Sequence, residues 1–199
     1  MKATISFSIA VFIMACIFSC SKSGNAPPLN NPPPPQQEFI KYTIRKGQQY
    51  SDQNAFVATE YQELKFIVKF DASAIYQTSN PANQYDINKM YGFSDNNANH
   101  QDYSARFGWN WSKDSLRLFA YIYNESVRTS KEIGTVLLDT ENNCSIKVND
   151  SIYIFKLNDK IIEMPRASKT STAKGYKLYP YFGGDETAPH DIAIWLKEL

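Results

Sequence analysis

The residues with types and spacing suited to chemistry lie in the stretch DNNANHQDYSAR, which begins at Asp95 and ends at Arg106. His100 and Tyr103 can accept and donate a proton, and Arg106 can neutralise the carboxylate of an acidic sugar. These three residues are therefore candidate catalytic groups for breaking a glycosidic bond beside a uronate. A polar segment of this length before a strand is also typical of a solvated loop, and that alternative needs no chemistry.

Aromatic residues repeat at every second position after this segment. Phe107, Trp109 and Trp111 fall on one face of a predicted strand. Tyr121 and Tyr123 fall on one face of the next. Exposed aromatics bind sugars by stacking on the apolar face of a pyranose ring, whereas buried ones fill the core, where large aromatics at this period most often lie. The candidate ligand-binding residues are Trp109, Trp111, Tyr121, Tyr123 and Arg106.

The closing stretch, YPYFGGDETAPHDIAIWLKEL, carries a glycine pair and two acids between two predicted strands. Asp185 and Glu186 are candidate ligands for Ca²⁺, because this hard cation binds several oxygens; no other cofactor is predicted. The loop lacks a spaced series of aspartates that would complete such a site, so a turn shaped by the glycines is the competing interpretation. His190 and Asp191 are not expected to act as a catalytic pair, because neighbours on a strand point to opposite faces.

Alternation of apolar and polar residues dominates the chain from Glu38 to Leu199 and predicts strands rather than helices. The stretch ELKFIVKF and the hairpin SARFGWNW-SKD-SLRLFAYIYN show it most clearly. The last strand is predicted to bury Ile192, Ile194 and Leu196. The sequence thus indicates a single all-β domain at residues 38–199, a size sufficient for a substantial core.

Short strands separated by Asn/Asp turns follow between Ile133 and Met164. Within them, YIFKLNDKII (153–162) resembles a strand, turn, strand segment of concanavalin A-like and laminin-G-like sandwiches, with Asp159 where glycine is usual. The resemblance implies an antiparallel jelly-roll sandwich, with immunoglobulin-like and lipocalin-like β-folds as alternatives. The Glu-x-Asp-x-x-Glu arrangement of concanavalin A-like glucanases is absent, and so are the paired strand motifs of sandwich-fold alginate lyases.

The chain before the domain predicts export and lipid anchoring. Residues 1–19 contain one lysine and then an apolar run too short to span a membrane, which is typical of an export signal. The run ends in IFSC, which resembles the lipobox of bacterial lipoproteins and implies lipidation of Cys20; an ordinary secretory signal is the alternative. Cys16 fits less well because apolar residues follow it. Residues 20–37 hold six of the ten prolines and predict an extended tether.

Composition argues against several classes of partner. The formal net charge is +1, so there is no electrostatic case for binding nucleic acid, nor for binding acidic lipids beyond the acyl anchor. No phosphate loop, Gly-x-Gly-x-x-Gly, His-Glu-x-x-His or Cys-x-x-Cys motif is present, so no nucleotide and no structural zinc is predicted. Cys144 is the one cysteine of the predicted domain and is expected to be buried and inert.

The stretches NQYDINKMYGFSD and YPYFGGDETAPHDI are similar to segments of bacterial envelope lipoproteins of the Bacteroidetes type, a resemblance that implies no activity. The function predicted is a lipid-anchored module in the outer membrane of a bacterial cell envelope. It would bind a glycan or another envelope component without catalysis, on a side of the membrane that the sequence leaves open. A glycan-active enzyme such as a polysaccharide lyase is one alternative. A structural lipoprotein that binds another protein is the other.

Overall fold

The computed structural model describes residues 37–199. The predicted export signal, Cys20 and the tether up to residue 36 lie outside the described residues. In chain order the strands are β1 (Ile40–Ile44), β2 (Ala58–Tyr61), β3 (Glu63–Phe70), β4 (Asn88–Ser94), β5 (Ser104–Ser112), β6 (Ser115–Asn124), β7 (Val127–Val136), β8 (Asn142–Asn149), β9 (Ile152–Leu157), β10 (Lys160–Pro165), β11 (Ala173–Leu178) and β12 (Ile192–Glu198). Two short 3-10 helices, Ala72–Ala74 and Pro81–Tyr85, lie between β3 and β4.

The strands form two six-stranded antiparallel sheets. The first sheet has the order β1-β12-β3-β8-β9-β10, and the second has the order β2-β11-β4-β5-β6-β7. Neighbouring strands pair antiparallel throughout the two sheets, so the prediction of an all-β jelly-roll sandwich is confirmed. Among the described residues, no helix has the length and apolar character needed to cross a membrane.

The core lies between the sheets and is built from the inward-facing half of each alternating strand. Phe66 on β3 meets Phe107 on β5 edge to face, with ring centroids 5.6 Å apart. Phe70 on β3 packs on Trp109 across the sandwich with the two rings tilted, at a centroid distance of 5.3 Å. These side chains are at most 1% exposed. Residues two apart on a strand point to the same face, so Phe107 and Trp109 of β5 both reach the core.

Turn chemistry fixes the hairpins that the sequence predicted. β5 and β6 are joined by Lys113 and Asp114, whose φ angles of 52° and 53° suit a tight two-residue hairpin turn. Asp150 and Asn158 also have positive φ, at the two Asn/Asp turns on either side of β9. Asp and Asn tolerate this left-handed conformation better than most residues, which is the reason these turns are polar.

The predicted final strand has a central place. β12 lies between β1 and β3, pairing with both, and Ile192, Ile194 and Leu196 are buried as the sequence predicted. The carboxylate of Asp191, just before the strand, accepts hydrogen bonds from the side chain of Arg45 and the amide of Lys46 after β1. The segment between the two glycines and β12 is therefore attached to the first sheet through Asp191.

A buried ion pair ties the ends of the two sheets together. Arg166, just after β10, donates from Nε to the Asp95 carboxylate at 2.8 Å, and both side chains are at most 1% exposed. Tyr153 on β9 donates to the same carboxylate at 2.6 Å. Because Asp95 follows β4, this network joins the second sheet to β9 and β10 of the first. It also removes Asp95 from the set of polar residues available for chemistry.

Candidate functional site

A groove of about 640 Å³ lies over the outer face of the second sheet. Its floor consists of side chains that alternate with core residues along β4 to β7: Lys89, Arg106, Tyr121, Tyr123 and Arg128. Its walls come from three segments that are distant in sequence, namely residues 50–56 between β1 and β2, residues 99–101 before β5, and residues 176–184 at and after β11. Their convergence depends on the strand order β2-β11-β4-β5.

Arg106 is the central residue of the floor. It pairs with Tyr121 across β5 and β6, and its guanidinium carbon lies 5.4 Å from the centroid of that ring. On the other side it faces Gly92, where a Cβ would lie 2.5 Å from the Cα and Cβ of Arg106. Because position 92 is glycine, no side chain of β4 covers the arginine at this point.

The Arg106 guanidinium has no counter-ion within the described part of the chain. The residue is 7% exposed, no carboxylate of residues 37–199 forms a salt bridge with it, and its Nε has no hydrogen-bond partner. Burial lowers the pKa of the guanidinium, and nearby tyrosines only partly offset this effect. A buried positive charge without a counter-ion is costly, and an anion in the groove would reduce that cost.

Two further cations add to the positive potential. The Lys89 ammonium lies 5.1 Å from the centroid of the Tyr121 ring, and Arg128 on β7 lines the same groove. Burial, followed by the charges of Arg106 and Arg128, lowers the pKa of Lys89 to about 8. The groove thus concentrates positive charge although the whole chain carries a net charge of only +1.

His100 and Tyr176 form a hydrogen-bonded pair on the wall of the groove. The imidazole Nδ1 lies 2.9 Å from the Tyr176 hydroxyl, which also accepts a hydrogen bond from the His100 amide at 3.1 Å. Burial, followed by the charge of Arg106, lowers the pKa of His100 below its usual range, which favours the neutral imidazole. A neutral imidazole beside a phenol can accept a proton from a bound molecule.

Exposed aromatic rings form the rim. Phe56 is 76% exposed and packs on Tyr176, with ring centroids 5.4 Å apart. Tyr50 is 65% exposed and meets Tyr181 edge to face at 4.9 Å. Large aromatics held in the open beside a polar groove present ring faces on which a sugar can stack.

The chain is similar in fold to alginate lyase AlyC3. The TM-score is 0.53 at 9% identity, and the match covers 81% of this chain and 74% of the lyase. The structure of AlyC3 in complex with dimannuronate matches with a TM-score of 0.54, 9% identity and coverage of 81% and 73%. A native glycosidic hydrolase matches with a TM-score of 0.46, 13% identity and coverage of 83% and 81%. No protein-family model and no curated protein matches the sequence.

The tryptophans predicted to bind ligand do not lie in the groove. Trp109 is fully buried and packs on Phe70 and Tyr76, so its assignment as a ligand-binding residue was wrong. Trp111 is half-buried, packs against the core and borders a separate cleft near Tyr85. The reason is strand parity: on β5 the tryptophans share the inward face, which leaves Arg106 on the outward face.

Most of the other predicted binding and catalytic residues lie in the groove, but one does not. Tyr121, Tyr123, Arg106 and His100 line the groove together. Tyr103 does not line it, and the tyrosine that accompanies His100 is Tyr176 instead. His100 and Tyr176 lie 76 residues apart in sequence, and the antiparallel pairing of β11 with β4 brings them together.

The residues predicted to bind Ca²⁺ have other surroundings. The Glu186 carboxylate accepts hydrogen bonds from the amides of Ser79 and Asn80 and from the side chain of Asn83. Asp185 is exposed. Within residues 37–199, no group of three or more His, Cys, Asp or Glu side chains is placed to hold a metal ion. Glu186 therefore holds the loop before β4 by hydrogen bonds, and no metal-binding group of acidic side chains forms around it within residues 37–199.

The remaining polar candidates are structural. His190 lies 2.9 Å through Nε2 from the carbonyl oxygen of Ser73, and it does not pair with Asp191. Cys144 is buried, as the sequence predicted, and burial raises the pKa of its thiol. A buried thiol with a raised pKa is a poor nucleophile.

Proposed function

We propose that this domain binds an acidic glycan in the groove of the second sheet. The observation that carries the proposal is the buried Arg106 guanidinium, which has no carboxylate partner among the described residues. A carboxylate on a sugar ring matches the planar, two-pronged donor set of an arginine and would remove the cost of its burial. Lys89 and Arg128 favour the same negatively charged class of ligand.

The size and lining of the groove support this proposal. A volume of about 640 Å³ lies within the usual range for ligand pockets and accommodates a short oligosaccharide. Phe56 and Tyr50 offer open ring faces at the rim, while the cations lie on the floor. Such an arrangement stacks the apolar face of a sugar and pairs its acidic group with arginine. The similarity in fold to an alginate lyase that is solved with dimannuronate, an acidic disaccharide, supports the same class of ligand.

The test is a binding panel with the fragment that begins at Gln36, which contains every strand described here. Polyuronate and sulfated oligosaccharides are compared with neutral glucans and mannans of the same length by calorimetric titration. We expect binding to the acidic glycans alone, weakened by added salt because ionic attraction is screened. Equal binding of neutral glycans, or no binding of any glycan, would contradict the proposal.

Lys89 makes the binding of an acidic glycan dependent on pH. Its ammonium form attracts the ligand, and in the free domain its pKa is about 8. A bound anion raises that pKa, so affinity should be constant between about pH 7 and pH 8 and should fall as the pH rises above 8. Titrations over this range test the point, with Lys89→Met as the control that should be weaker throughout and lose the pH dependence.

A second candidate function is elimination at an acidic sugar, favoured by the placement of His100 and Tyr176 beside Arg106. In this reaction Arg106 neutralises the carboxylate, and His100 takes the proton from the adjacent carbon. Tyr176 gives a proton to the leaving glycosidic oxygen as the carbon–oxygen bond breaks and a carbon–carbon double bond forms. The lowered pKa of His100 favours the neutral imidazole, the form that can act as a base.

Catalysis and binding alone are separated by measuring release of unsaturated sugar from the acidic glycans that bind. If the domain is a lyase, His100→Ala and Tyr176→Phe should each lower the rate at least a hundredfold, as for loss of general acid or base catalysis. Tyr103→Phe is the matched control, because Tyr103 does not line the groove, and its rate should be unchanged. Binding without any product would leave the non-catalytic function standing.

We further propose that Cys20 anchors the domain to a membrane of the bacterial cell envelope. The support is the apolar run that ends at IFSC and the proline-rich segment after it. Cys20→Ser should abolish incorporation of labelled fatty acid in the producing cell and move the protein to the soluble fraction. Cys16→Ser serves as the control and should leave labelling intact. Unchanged labelling in the Cys20 variant would exclude this anchor.

A further inference from the structure

The outer face of the first sheet, opposite the core, is rich in lysine. Strand register determines its members: Lys41 pairs with Trp195, which pairs with Lys69, and Lys65 pairs with Ser145, which pairs with Lys156. We call this surface the lysine face. Its lysines are Lys41, Lys65, Lys69, Lys147, Lys156 and Lys197.

The charge of the lysine face is only partly balanced. The acidic side chains in the same register are Glu63 and Glu163, so six lysines against two glutamates leave a local charge of +4 on a chain whose net charge is +1. Of the six lysines, Lys65 alone forms an ion pair among the described residues, with Glu63 at 3.1 Å. The fold has therefore gathered on one sheet face a positive charge that the composition conceals.

Aromatic rings lie between these lysines. The Lys41 and Lys69 ammonium groups lie 5.3 and 5.6 Å from the centroid of Trp195. The Lys197 ammonium lies 5.0 Å from the ring of Phe39, immediately before β1. Trp195 and Phe39 are half-buried. Ile67 on β3, the strand between β12 and β8, is half-buried as well. The surface thus combines lysine charges with apolar side chains on one sheet face.

We propose that the lysine face docks on an anionic lipid surface. Lysines favour the headgroup layer by charge, and tryptophan and phenylalanine favour the boundary between headgroups and acyl chains. Long lysine side chains can extend past the rings to reach phosphate groups while their methylenes cover apolar surface. The chain also enters the domain at Phe39, on this face, so the predicted tether joins the domain where the contact would form. An extended acidic polysaccharide is the less favoured partner because the partly exposed apolar residues would have no role.

The test uses the fragment from Gln36, which lacks Cys20, with vesicles of phosphatidylcholine alone or mixed with phosphatidylglycerol. We expect co-sedimentation with the anionic vesicles only, reduced by salt, and a blue shift of tryptophan fluorescence that Trp195→Phe removes. Each lysine is worth about a fivefold gain in partition to an anionic surface, so Lys41→Gln, Lys69→Gln and Lys147→Gln together should weaken binding about a hundredfold. Lys113→Gln, Lys131→Gln and Lys169→Gln, changed together away from this face, should have little effect.

The outcomes separate this surface from the groove. Arg106→Met should leave vesicle binding unchanged, because Arg106 lies on the other sheet. The proposal is overturned if the unmodified fragment does not bind anionic vesicles, or if the two triple variants bind them equally. A polysaccharide partner would replace the lipid surface if two results were found together. No form of the fragment would bind vesicles, and the lysine-face triple variant, unlike the control triple variant, would lose binding to polygalacturonate.

Discussion

Replacement of Arg166 by alanine is expected to lower the free energy of unfolding by about 3–5 kcal/mol. The change leaves the buried Asp95 carboxylate without its cationic partner, and an unpaired buried charge is far more costly than the loss of a surface ion pair. The remaining Tyr153 hydroxyl and nearby Ser168 cannot supply positive charge. Chemical denaturation of the fragment from Gln36, followed by tryptophan fluorescence, measures the effect.

A matched control uses the same N···O distance at an exposed site. Arg45 and Asp191 also approach to 2.8 Å, but their side chains are 63% and 51% exposed, so Arg45→Ala should change the melting temperature little. Combining Arg166→Met with Asp95→Asn should recover part of the lost stability, because the second change removes the unpaired charge. Equal losses at Arg166 and Arg45 would contradict the account of the buried pair.

The loss of stability caused by Arg166→Ala should also depend on pH. Burial tends to raise the pKa of Asp95, but hydrogen bonds from Arg166, Tyr153 and the amide of Asn96 outweigh it and hold the pKa below its ordinary value. The stability that this carboxylate contributes is therefore full above about pH 4 and is lost as the pH falls further. The difference between the parent domain and Arg166→Ala should narrow under acidic conditions, because a protonated Asp95 no longer needs a cation.

Replacement of Arg106 by methionine is expected to weaken binding of an acidic glycan about 30-fold or more, which corresponds to a loss of at least about 2 kcal/mol. The same change should leave the melting temperature of the unliganded domain unchanged or higher. Methionine has a similar length and no charge, so it removes the cost of burying a guanidinium that has no partner within residues 37–199. Calorimetric titration and a thermal melt on each form measure the two effects.

Arg128→Met is the matched control for this prediction, since it removes a charge of the same type from the same groove at an exposed position. We expect it to weaken binding only a few-fold and to reduce the dependence of affinity on salt. If Arg106→Met instead destabilised the domain and left glycan affinity intact, Arg106 would be a structural residue and the proposed function would lose its main support.

The sequence by itself determined which residues share a face of each strand. A period of two requires Phe107 and Trp109 to point one way and Arg106 the other, and it requires Ile192 and Ile194 to point together. The polar turns could also be read directly, because few residues other than Asn, Asp and Gly tolerate positive φ. These local rules predicted the hairpins and the buried last strand, whereas the sandwich class was predicted from the resemblance to concanavalin A-like segments.

Alternation alone could not decide which face of β5 is covered. Trp109 and Trp111 were candidate ligand-binding residues, but Trp109 is core and Trp111 is half-buried against it, while Arg106 beside them forms the floor of the groove. Both faces of such a strand carry large side chains, so the choice depends on which sheet lies opposite. That partner is set by pairing between distant strands, and no local pattern reports it.

The tertiary structure alone decided which residues meet. Phe56, His100 and Tyr176 converge because β11 lies between β2 and β4, an order that follows from non-local hydrogen bonding. The same holds for charge: a net value near zero reveals nothing of its distribution, whereas strand register places six lysines on one sheet face and Arg106 beneath a groove on the other. Local sequence fixes the direction of a side chain, but its neighbours are fixed only when the sheets assemble.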